Sequence, residues 1–271
     1  MNNYFDYHLH LEQGPYTMEW LEEFLKVAHS RGVREVGFTE HAYRFREAAS
    51  ILENNWARQH ATQSAEDYVR LLLQAKTIYP EVRLGLEVDY VPGKEEITRR
   101  FLAAYPFDFV LGSVHFLGDW GFDNPEFLAE WDHRDVDEVY RHYFWTLRQA
   151  ATSRLFDVLA HPDVIKVFGH RATRDLTAVY RETVETIARS DLAIEVSSAG
   201  LRKPVGELYP AETFLQMAFG AGIPITTASD AHRPEDAGRD LEQVVVLARR
   251  AGYTAVSSFQ LRQRISVSLD C

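Results

Sequence analysis

The chain has 271 residues, of which 46% are hydrophobic and 25% charged, a balance typical of a globular protein. Its formal net charge of −11 argues against a broad nucleic-acid-binding surface and against docking on an anionic membrane. Its one cysteine, Cys271, excludes an intramolecular disulfide, and we find neither a signal peptide nor a run of about 18 apolar residues. We therefore expect a cytoplasmic protein with no nucleic-acid or membrane partner.

Short apolar strands alternate with amphipathic helices along the chain. The predicted strands are Tyr4–His10, Glu35–Thr39, Val82–Val88, Phe107–His115, Leu155–Ala160, Leu192–Ser197, Pro224–Ser229 and, as a candidate eighth strand, Thr254–Phe259. Two helices begin after the N-caps Thr17 and Ser64 and end near Gly32 and Pro80. The other predicted helices are Glu95–Tyr105, Val136–Ser153, Leu176–Arg189, Ala211–Ala221 and Leu241–Ala251.

Seven or eight repeated β-α units without a linker predict one domain, over residues 1–271, with parallel strands and right-handed crossovers. A doubly wound nucleotide-binding fold needs a glycine-rich turn after an early strand, and the sequence has none. An α/β barrel is therefore the favoured fold class.

Six of the 11 histidines lie at or just after the predicted strand ends. They are His8, His10, His41, His115, His161 and His232. Because alternate side chains of a strand share a face, His8 and His10 can bind the same metal ion. Glu87 lies between two apolar residues of its strand, and a buried carboxylate is costly unless it is paired or metal-bound.

The C-terminal ends of barrel strands converge, which would bring these histidines together with Glu87 and Asp230. Imidazole and carboxylate ligands suit Zn²⁺, Mn²⁺ or Fe²⁺. Eight such groups are too many for one tetrahedral ion, so the sequence predicts two or three divalent metal ions.

The motifs H-x-H, T-E-H, G-x-E-x-D, G-S-V-H, H-P-D and S-D-A-H, in this order, resemble the polymerase and histidinol phosphatase (PHP) superfamily. The segments Pro106–His115, Phe168–Arg171, Ser198–Pro204 and Ser229–Glu235 resemble its histidinol-phosphate phosphatase branch. The resemblance runs from about Asp6 to about Gly252, and it implies a distorted seven-stranded, TIM-like (β/α)7 barrel with a trinuclear metal centre.

The resemblance also assigns ligands to each metal ion. His8, His10, Glu87 and Asp230 would bind the first metal, and Glu87 would bridge to a second that His115 and His161 also bind. His41 and His232 would bind the third. The family usually supplies a further histidine soon after H-x-H, where this chain has no histidine and Glu12 is the nearest competent ligand.

The reaction implied by the resemblance is hydrolysis of L-histidinol phosphate, a step of histidine biosynthesis, by a hydroxide that bridges the metals. Glu87 would fix the metal spacing, Asp230 would orient the hydroxide, and His232 would assist the leaving alkoxide through its metal or by delivering a proton. Arg171 and Arg202 would bind the phosphate, because a guanidinium forms two parallel hydrogen bonds to phosphate oxygens. Glu12, Glu40 or Asp163 would accept hydrogen bonds from the imidazole and ammonium groups of the substrate.

Three alternatives stay open at this point. The first is a related phosphoesterase that acts on another phosphomonoester, a nucleotide or a phosphodiester. The second is an amidohydrolase, although that class typically bridges its metals with a modified lysine and no lysine ends a predicted strand here. The third is a metal-binding protein without catalysis.

Overall fold

Seven strands form a single parallel sheet in chain order. A separate antiparallel pair, Phe116–Leu117 with Trp120–Gly121, lies between the fourth and fifth of them in the chain. The computed structural model describes residues 4–269, so Cys271 lies outside the described part. The strands are β1 (Tyr4–Leu9), β2 (Val33–Phe38), β3 (Val82–Asp89), β4 (Phe109–Ser113), β5 (Val158–Leu159), β6 (Ala193–Ser197) and β7 (Ile225–Ala228).

The sheet closes into a barrel where β1 meets the segment after β7. The backbone N–H of His10 donates to the carbonyl of Ala231 at 2.8 Å, and the N–H of Ala231 donates to the carbonyl of His8 at 3.2 Å. The buried carboxylate of Asp6 accepts hydrogen bonds from the backbone N–H and hydroxyl of Ser229, at 2.8 and 2.5 Å. These contacts confirm the predicted distorted seven-stranded barrel.

Eight α-helices pack around the barrel in the described chain. They are α1 (Met18–Ser30), α2 (Asn55–His60), α3 (Ala65–Ile78), α4 (Glu95–Ala103), α5 (Val136–Thr152), α6 (Thr177–Arg189), α7 (Glu212–Gly220) and α8 (Leu241–Ala251). Thr17 and Ser64 cap α1 and α3 as predicted, since their hydroxyls accept hydrogen bonds from the backbone N–H groups of Trp20 and Asp67. Within residues 4–269, no helix combines the length and apolarity needed to cross a bilayer.

Two predicted strands differ from the structure. The predicted strand Leu155–Ala160 is reduced to the two residues of β5, because only these align with both neighbouring strands. The predicted strand Thr254–Phe259 does not extend the barrel. It forms β8 (Ala255–Gln260), which pairs antiparallel with β9 (Gln263–Ser268) in a separate hairpin.

Aromatic side chains fill the barrel interior. The ring of Phe109 packs 4.8 Å from that of Tyr7 and 6.0 Å from that of Phe259, which reaches in from the hairpin. A β-carbon at Gly85 would lie 2.5 Å from the ring of Phe109, and one at Gly37 would lie 2.7 Å from it. Glycine at these two positions therefore makes room for the packed interior, above which the strand ends present polar side chains.

Candidate metal centre

The predicted ligands meet at the C-terminal ends of the barrel strands. His8 and Glu87 lie within β1 and β3, and the others lie just beyond strand ends. The described residues form four overlapping groups in which the nitrogen and carboxylate oxygen atoms lie within 4.8 Å of one another. Together these groups comprise His8, His10, His41, Glu87, His115, His161, Asp230 and His232. The structure thus brings together eight of the nine predicted metal ligands.

The carboxylate of Glu87 lies at the middle of this cluster and is 1% exposed. Its Oε2 is 2.8 Å from His41 Nδ1 and 3.3 Å from His8 Nε2. Its Oε1 is 3.2 Å from His161 Nε2 and 3.5 Å from His115 Nε2. Oε2 is also 3.7 Å from His10 Nε2, so the two carboxylate oxygens face different sets of histidines. In this position Glu87 could bind two divalent metal ions at once.

The nitrogen and oxygen atoms of the cluster are better suited to binding divalent metal ions than to forming hydrogen bonds with one another. His8 Nε2, both ring nitrogens of His10, and Glu87 Oε2 are buried, and none of them has a neighbour in hydrogen-bond geometry among the described residues, although Glu87 Oε2 lies 2.8 Å from His41 Nδ1. Burial alone would raise the pKa of Glu87, but His8, His115 and His41 outweigh it and hold that pKa well below the usual range. An ionised carboxylate surrounded by unpartnered imidazole nitrogens is a ligand set for Zn²⁺, Mn²⁺ or Fe²⁺.

Carboxylates outside the cluster orient three of its histidines. His8 Nδ1 lies 2.7 Å from Glu195, His115 Nδ1 lies 3.0 Å from Asp89, and His232 Nδ1 lies 2.9 Å from Glu12. In each case Nε2 is left to face the cluster. Such carboxylate–histidine pairs fix the tautomer and the ring orientation of metal-binding histidines.

Two of the predicted ligands have a strained backbone. His161 has φ of 24° and Asp230 has φ of 52°, and residues other than glycine rarely adopt this left-handed region. The Asp6–Ser229 hydrogen bonds immediately precede Asp230, and Glu195 accepts a hydrogen bond from the backbone N–H of His161 at 3.3 Å. Strain of this kind concentrates at functional sites, where the surrounding structure imposes it.

Comparison with known proteins decides the family. A family model described as "PHP domain" matches residues 6–199 of the chain. The chain belongs to the PHP domain family. A Deinococcus radiodurans protein named "Probable histidinol-phosphatase" is 34% identical over 258 residues, which cover 93% of this chain and 95% of that protein.

Two further proteins are similar to this chain over most of its length. The Bacillus subtilis protein "Histidinol-phosphatase" is 24% identical over 86% of this chain and 95% of its own length. The solved structure of histidinol phosphate phosphatase from Lactococcus lactis, complexed with zinc, L-histidinol and phosphate, superposes with a TM-score of 0.77. It is 19% identical and the match covers 98% of this chain and 100% of that one, so it shows a shared fold.

In this PHP domain, Glu12 is the predicted ligand that does not join the four groups. Its Oε1 contacts His232 Nδ1, and its Oε2 accepts a hydrogen bond from Arg44 Nη1 at 3.2 Å. His232 itself belongs to one group with His10 and His41. The structure thus places Glu12 directly behind a ligand of the predicted third metal, and its role as a ligand stays a prediction.

Six of the eight clustered residues line a cavity of about 650 Å³, namely His41, Glu87, His115, His161, Asp230 and His232. Arg202 and Lys203 line this cavity, as do Glu12, Asp230 and His232. The guanidinium of Arg202, whose side chain is 15% exposed, donates to the carbonyl of Ser229 and lies 3.8 Å from Asp236. A positively charged side chain is therefore fixed beside the predicted metal ligands.

Arg171, the other predicted phosphate-binding residue, is not among the residues that line the cavity. Its guanidinium donates to Glu207 at 2.6 Å, and both side chains are 48% exposed. The second oxygen of Glu207 lies 3.4 Å from the buried Lys166 Nζ. Arg171 must leave this exposed ion pair before it can contact a molecule in the cavity.

Three carboxylates near the metal centre were not assigned from the sequence. Glu195 interrupts the buried apolar strand β6, which is the same signal that identified Glu87. Asp89 belongs to the G-x-E-x-D motif, but the motif alone indicates no function for it. Asp123 lines the cavity with its Oδ2 3.9 Å from His115 Nε2, and it lies in an irregular loop that no periodicity predicts.

We predict that Glu12→Ala removes about one equivalent of bound metal. Loss of this carboxylate deprives the third site either of a ligand or of the partner that orients His232, and losing such a partner typically weakens metal affinity about 10- to 100-fold. Metal analysis after dialysis against a metal buffer measures the effect. Gln13→Ala, a change at the neighbouring cavity residue, is the control and should keep the wild-type stoichiometry. Unchanged metal content in Glu12→Ala would show that Glu12 supports no metal site.

Proposed function

We propose that this PHP domain is a metal-dependent phosphomonoesterase that hydrolyses L-histidinol phosphate to L-histidinol and phosphate. The observation that carries the proposal is the cluster of eight candidate metal ligands, six of which line a cavity that Arg202 and Lys203 also line. Relatives at 34% and 24% identity over most of the chain are named histidinol-phosphatases, which supports the choice of substrate.

The residues of the site match the requirements of phosphate-ester hydrolysis, which is among the slowest uncatalysed reactions. Divalent ions held by the cluster would supply Lewis-acid activation of both water and the phosphoryl group. Glu87 holds the two halves of the cluster at a fixed separation through its two oxygens. Asp230 Oδ1, 3.3 Å from both His10 Nε2 and His232 Nε2, accepts a hydrogen bond from the attacking water and orients it.

His232 is placed to assist the leaving group. It lines the cavity, its side chain is 28% exposed, and Glu12 fixes its ring from behind. From this position the imidazole can reach the ester oxygen of a phosphate that Arg202 binds. His232 acts in one of two ways. Either Nε2 delivers a proton to the leaving alkoxide, or Nε2 binds a metal ion whose charge stabilises that alkoxide.

The far wall of the cavity suits an aromatic, cationic leaving group. The rings of Tyr43, Trp56 and Phe116 line it and contact one another at centroid distances of 5.2 and 5.9 Å. Asp123 supplies a carboxylate in the same cavity. We propose that the aromatic side chains contact the imidazole of histidinol and that Asp123 attracts its ammonium group.

The hydrogen-bond acceptors expected from the sequence have other partners. Glu40 and Asp163 are fully buried and do not line the cavity. Asp163 pairs with Lys166 Nζ at 2.8 Å. Glu12 does line the cavity, but both of its oxygens are engaged by His232 and Arg44. Asp123 replaces them as the proposed acceptor for the substrate.

Three features of the proposal lie beyond the described geometry and stay predictions. They are a cytoplasmic location, the absence of a nucleic-acid partner, and a single domain over residues 1–271. The single cysteine in the sequence fits a reducing compartment. The net charge of −11 supports the absence of a nucleic-acid partner.

We predict that the metal-loaded enzyme prefers L-histidinol phosphate to other phosphomonoesters. Its kcat/KM should exceed that for an aryl phosphate, a sugar phosphate and a nucleoside monophosphate by at least tenfold, because only histidinol offers both a flat ring and an ammonium group. Chelation should abolish turnover, and Mn²⁺, Fe²⁺ or Zn²⁺ should restore it. Steady-state kinetics on metal-analysed protein provide the measurement. A preference for another ester, or for a phosphodiester, would overturn the substrate. Full activity after verified metal removal would overturn the metal dependence.

We also predict that Arg202→Lys and Arg171→Ala each lower kcat/KM at least tenfold, which corresponds to about 1.4 kcal/mol of transition-state stabilisation. Lysine at 202 keeps the charge but loses the planar fork. Arg171 can exchange Glu207 for a phosphate dianion because an exposed ion pair is weak. Metal content should not change in either variant.

Glu207→Gln is the matched variant for Arg171. It releases the guanidinium without removing it, so its kcat/KM should equal or exceed that of the wild type. Wild-type kinetics in both arginine variants would show that neither guanidinium holds the phosphate.

A further inference from the structure

The phenol of Tyr209 lies in the cavity wall without a partner. Its side chain is 1% exposed and lines the same cavity as His161 and Arg202. Its hydroxyl has no hydrogen-bond partner within residues 4–269. Buried tyrosine hydroxyls usually have a partner, because an unpaired buried donor destabilises the folded state. An unpaired donor beside a binding cavity indicates that a ligand supplies the missing acceptor.

The backbone holds Tyr209 at a fixed position. Its carbonyl accepts from the N–H of Ser197 at 2.7 Å, and its N–H donates to the carbonyl of Ser197 at 3.0 Å, which attaches it to the end of β6. A β-carbon at Gly200 would lie 2.9 Å from Tyr209 Cζ and 2.0 Å from the carbonyl oxygen of Glu207. The Tyr209 ring therefore packs directly on the backbone of Gly200, and any side chain at position 200 would occupy the space that the ring needs.

Two neighbours set the chemistry around the ring. The Tyr209 ring lies 6.3 Å from that of His161, a predicted metal ligand, and edge-on to it. Lys166 Nζ lies over the ring at 5.4 Å from its centroid. Burial and the carboxylates of Asp163, Asp230 and Asp123 raise the pKa of the Tyr209 phenol above its usual value. The phenol therefore carries its proton at neutral pH and can donate one hydrogen bond. A hydrogen-bond donor beside a cavity that His161 and Arg202 also line fits an anionic oxygen as its acceptor.

We propose that Tyr209 Oη donates a hydrogen bond to a phosphoryl oxygen of the bound substrate. The inference rests on the proposed phosphatase function and adds a substrate-binding residue to it. Arg202 lies seven residues earlier in the same loop and would bind the phosphate through its charged guanidinium. Tyr209 would bind the phosphate through a hydrogen bond from its uncharged hydroxyl. Because the phenol is held before binding, the hydrogen bond forms without the loss of side-chain freedom that a flexible group would suffer.

Tyr209→Phe tests the proposal because it removes only the hydroxyl. We expect kcat/KM for the preferred phosphate ester to fall at least tenfold and the inhibition constant of inorganic phosphate to rise by a similar factor. Metal content should stay at the wild-type level. The melting temperature without ligand should stay equal or rise, because the variant no longer buries an unpaired donor.

Tyr143→Phe is the matched control. The Tyr143 hydroxyl is likewise buried without a hydrogen-bond partner in the described chain, but this residue does not line the cavity. Its removal should leave kcat/KM and phosphate inhibition unchanged and should shift the melting temperature in the same direction as Tyr209→Phe.

Two results would overturn the role of Tyr209. Wild-type phosphate inhibition and kcat/KM in Tyr209→Phe would show that the hydroxyl contacts no phosphate. A lower melting temperature together with lost metal would show a purely structural role. The substrate proposal fails separately, if the wild type hydrolyses an aryl phosphate but not histidinol phosphate, and the variant is then compared on the aryl ester. If the wild type hydrolyses no ester, calorimetric binding of inorganic phosphate to both proteins decides the question.

Discussion

The carboxylate of Glu87 is the group on which the site depends. A carboxylate removed from water at the end of a barrel strand is stable only if positive charge or hydrogen-bond donors surround it. Here the neighbours are imidazoles, which approach both of its oxygens from different strands. Neutral imidazoles cannot all donate to it at once, so divalent cations that the imidazoles and the carboxylate would hold complete the charge balance of the site.

Closure of the barrel determines where the residues of this cluster lie. Closure between β1 and the segment after β7 brings His8 and His10 against Asp230 and His232, which lie more than 200 residues away in the chain. The hydrogen bonds of Asp6 to Ser229 fix the closure from below. Buried carboxylates behind His8 and His115 then fix the rings. Ligand positions thus depend on strand register, and strand register depends on the packed interior below.

Much of this could be predicted from the sequence, because strand periodicity and the convergence of barrel strands are local or general rules. These rules place the eight candidate ligands at one end of the barrel. Glu195 is not among the predicted site residues, although it shows the same pattern as Glu87, a charged residue within an apolar strand. The hairpin of β8 and β9 is not predicted, because the alternation of apolar and polar residues identifies a strand but not the strand that it pairs with.

Other features depend on tertiary contacts that no local pattern records. The left-handed backbone at His161 and Asp230 is imposed by neighbouring segments, and the ion pair between Arg171 and Glu207 joins two loops. Asp123 and Tyr209 reach the cavity from irregular segments, where periodicity gives no information. The metal ligands were therefore easier to predict than the residues that would contact the substrate.

The most direct test of the central claim is metal analysis and turnover of Glu87→Gln, with the exposed change Glu96→Gln as its control. The substitution keeps the shape of the side chain and removes its charge. The account predicts loss of at least one metal equivalent and of nearly all phosphatase activity, while Glu96→Gln retains both. Full metal occupancy with normal turnover in Glu87→Gln would contradict the bridging role and the account built on it.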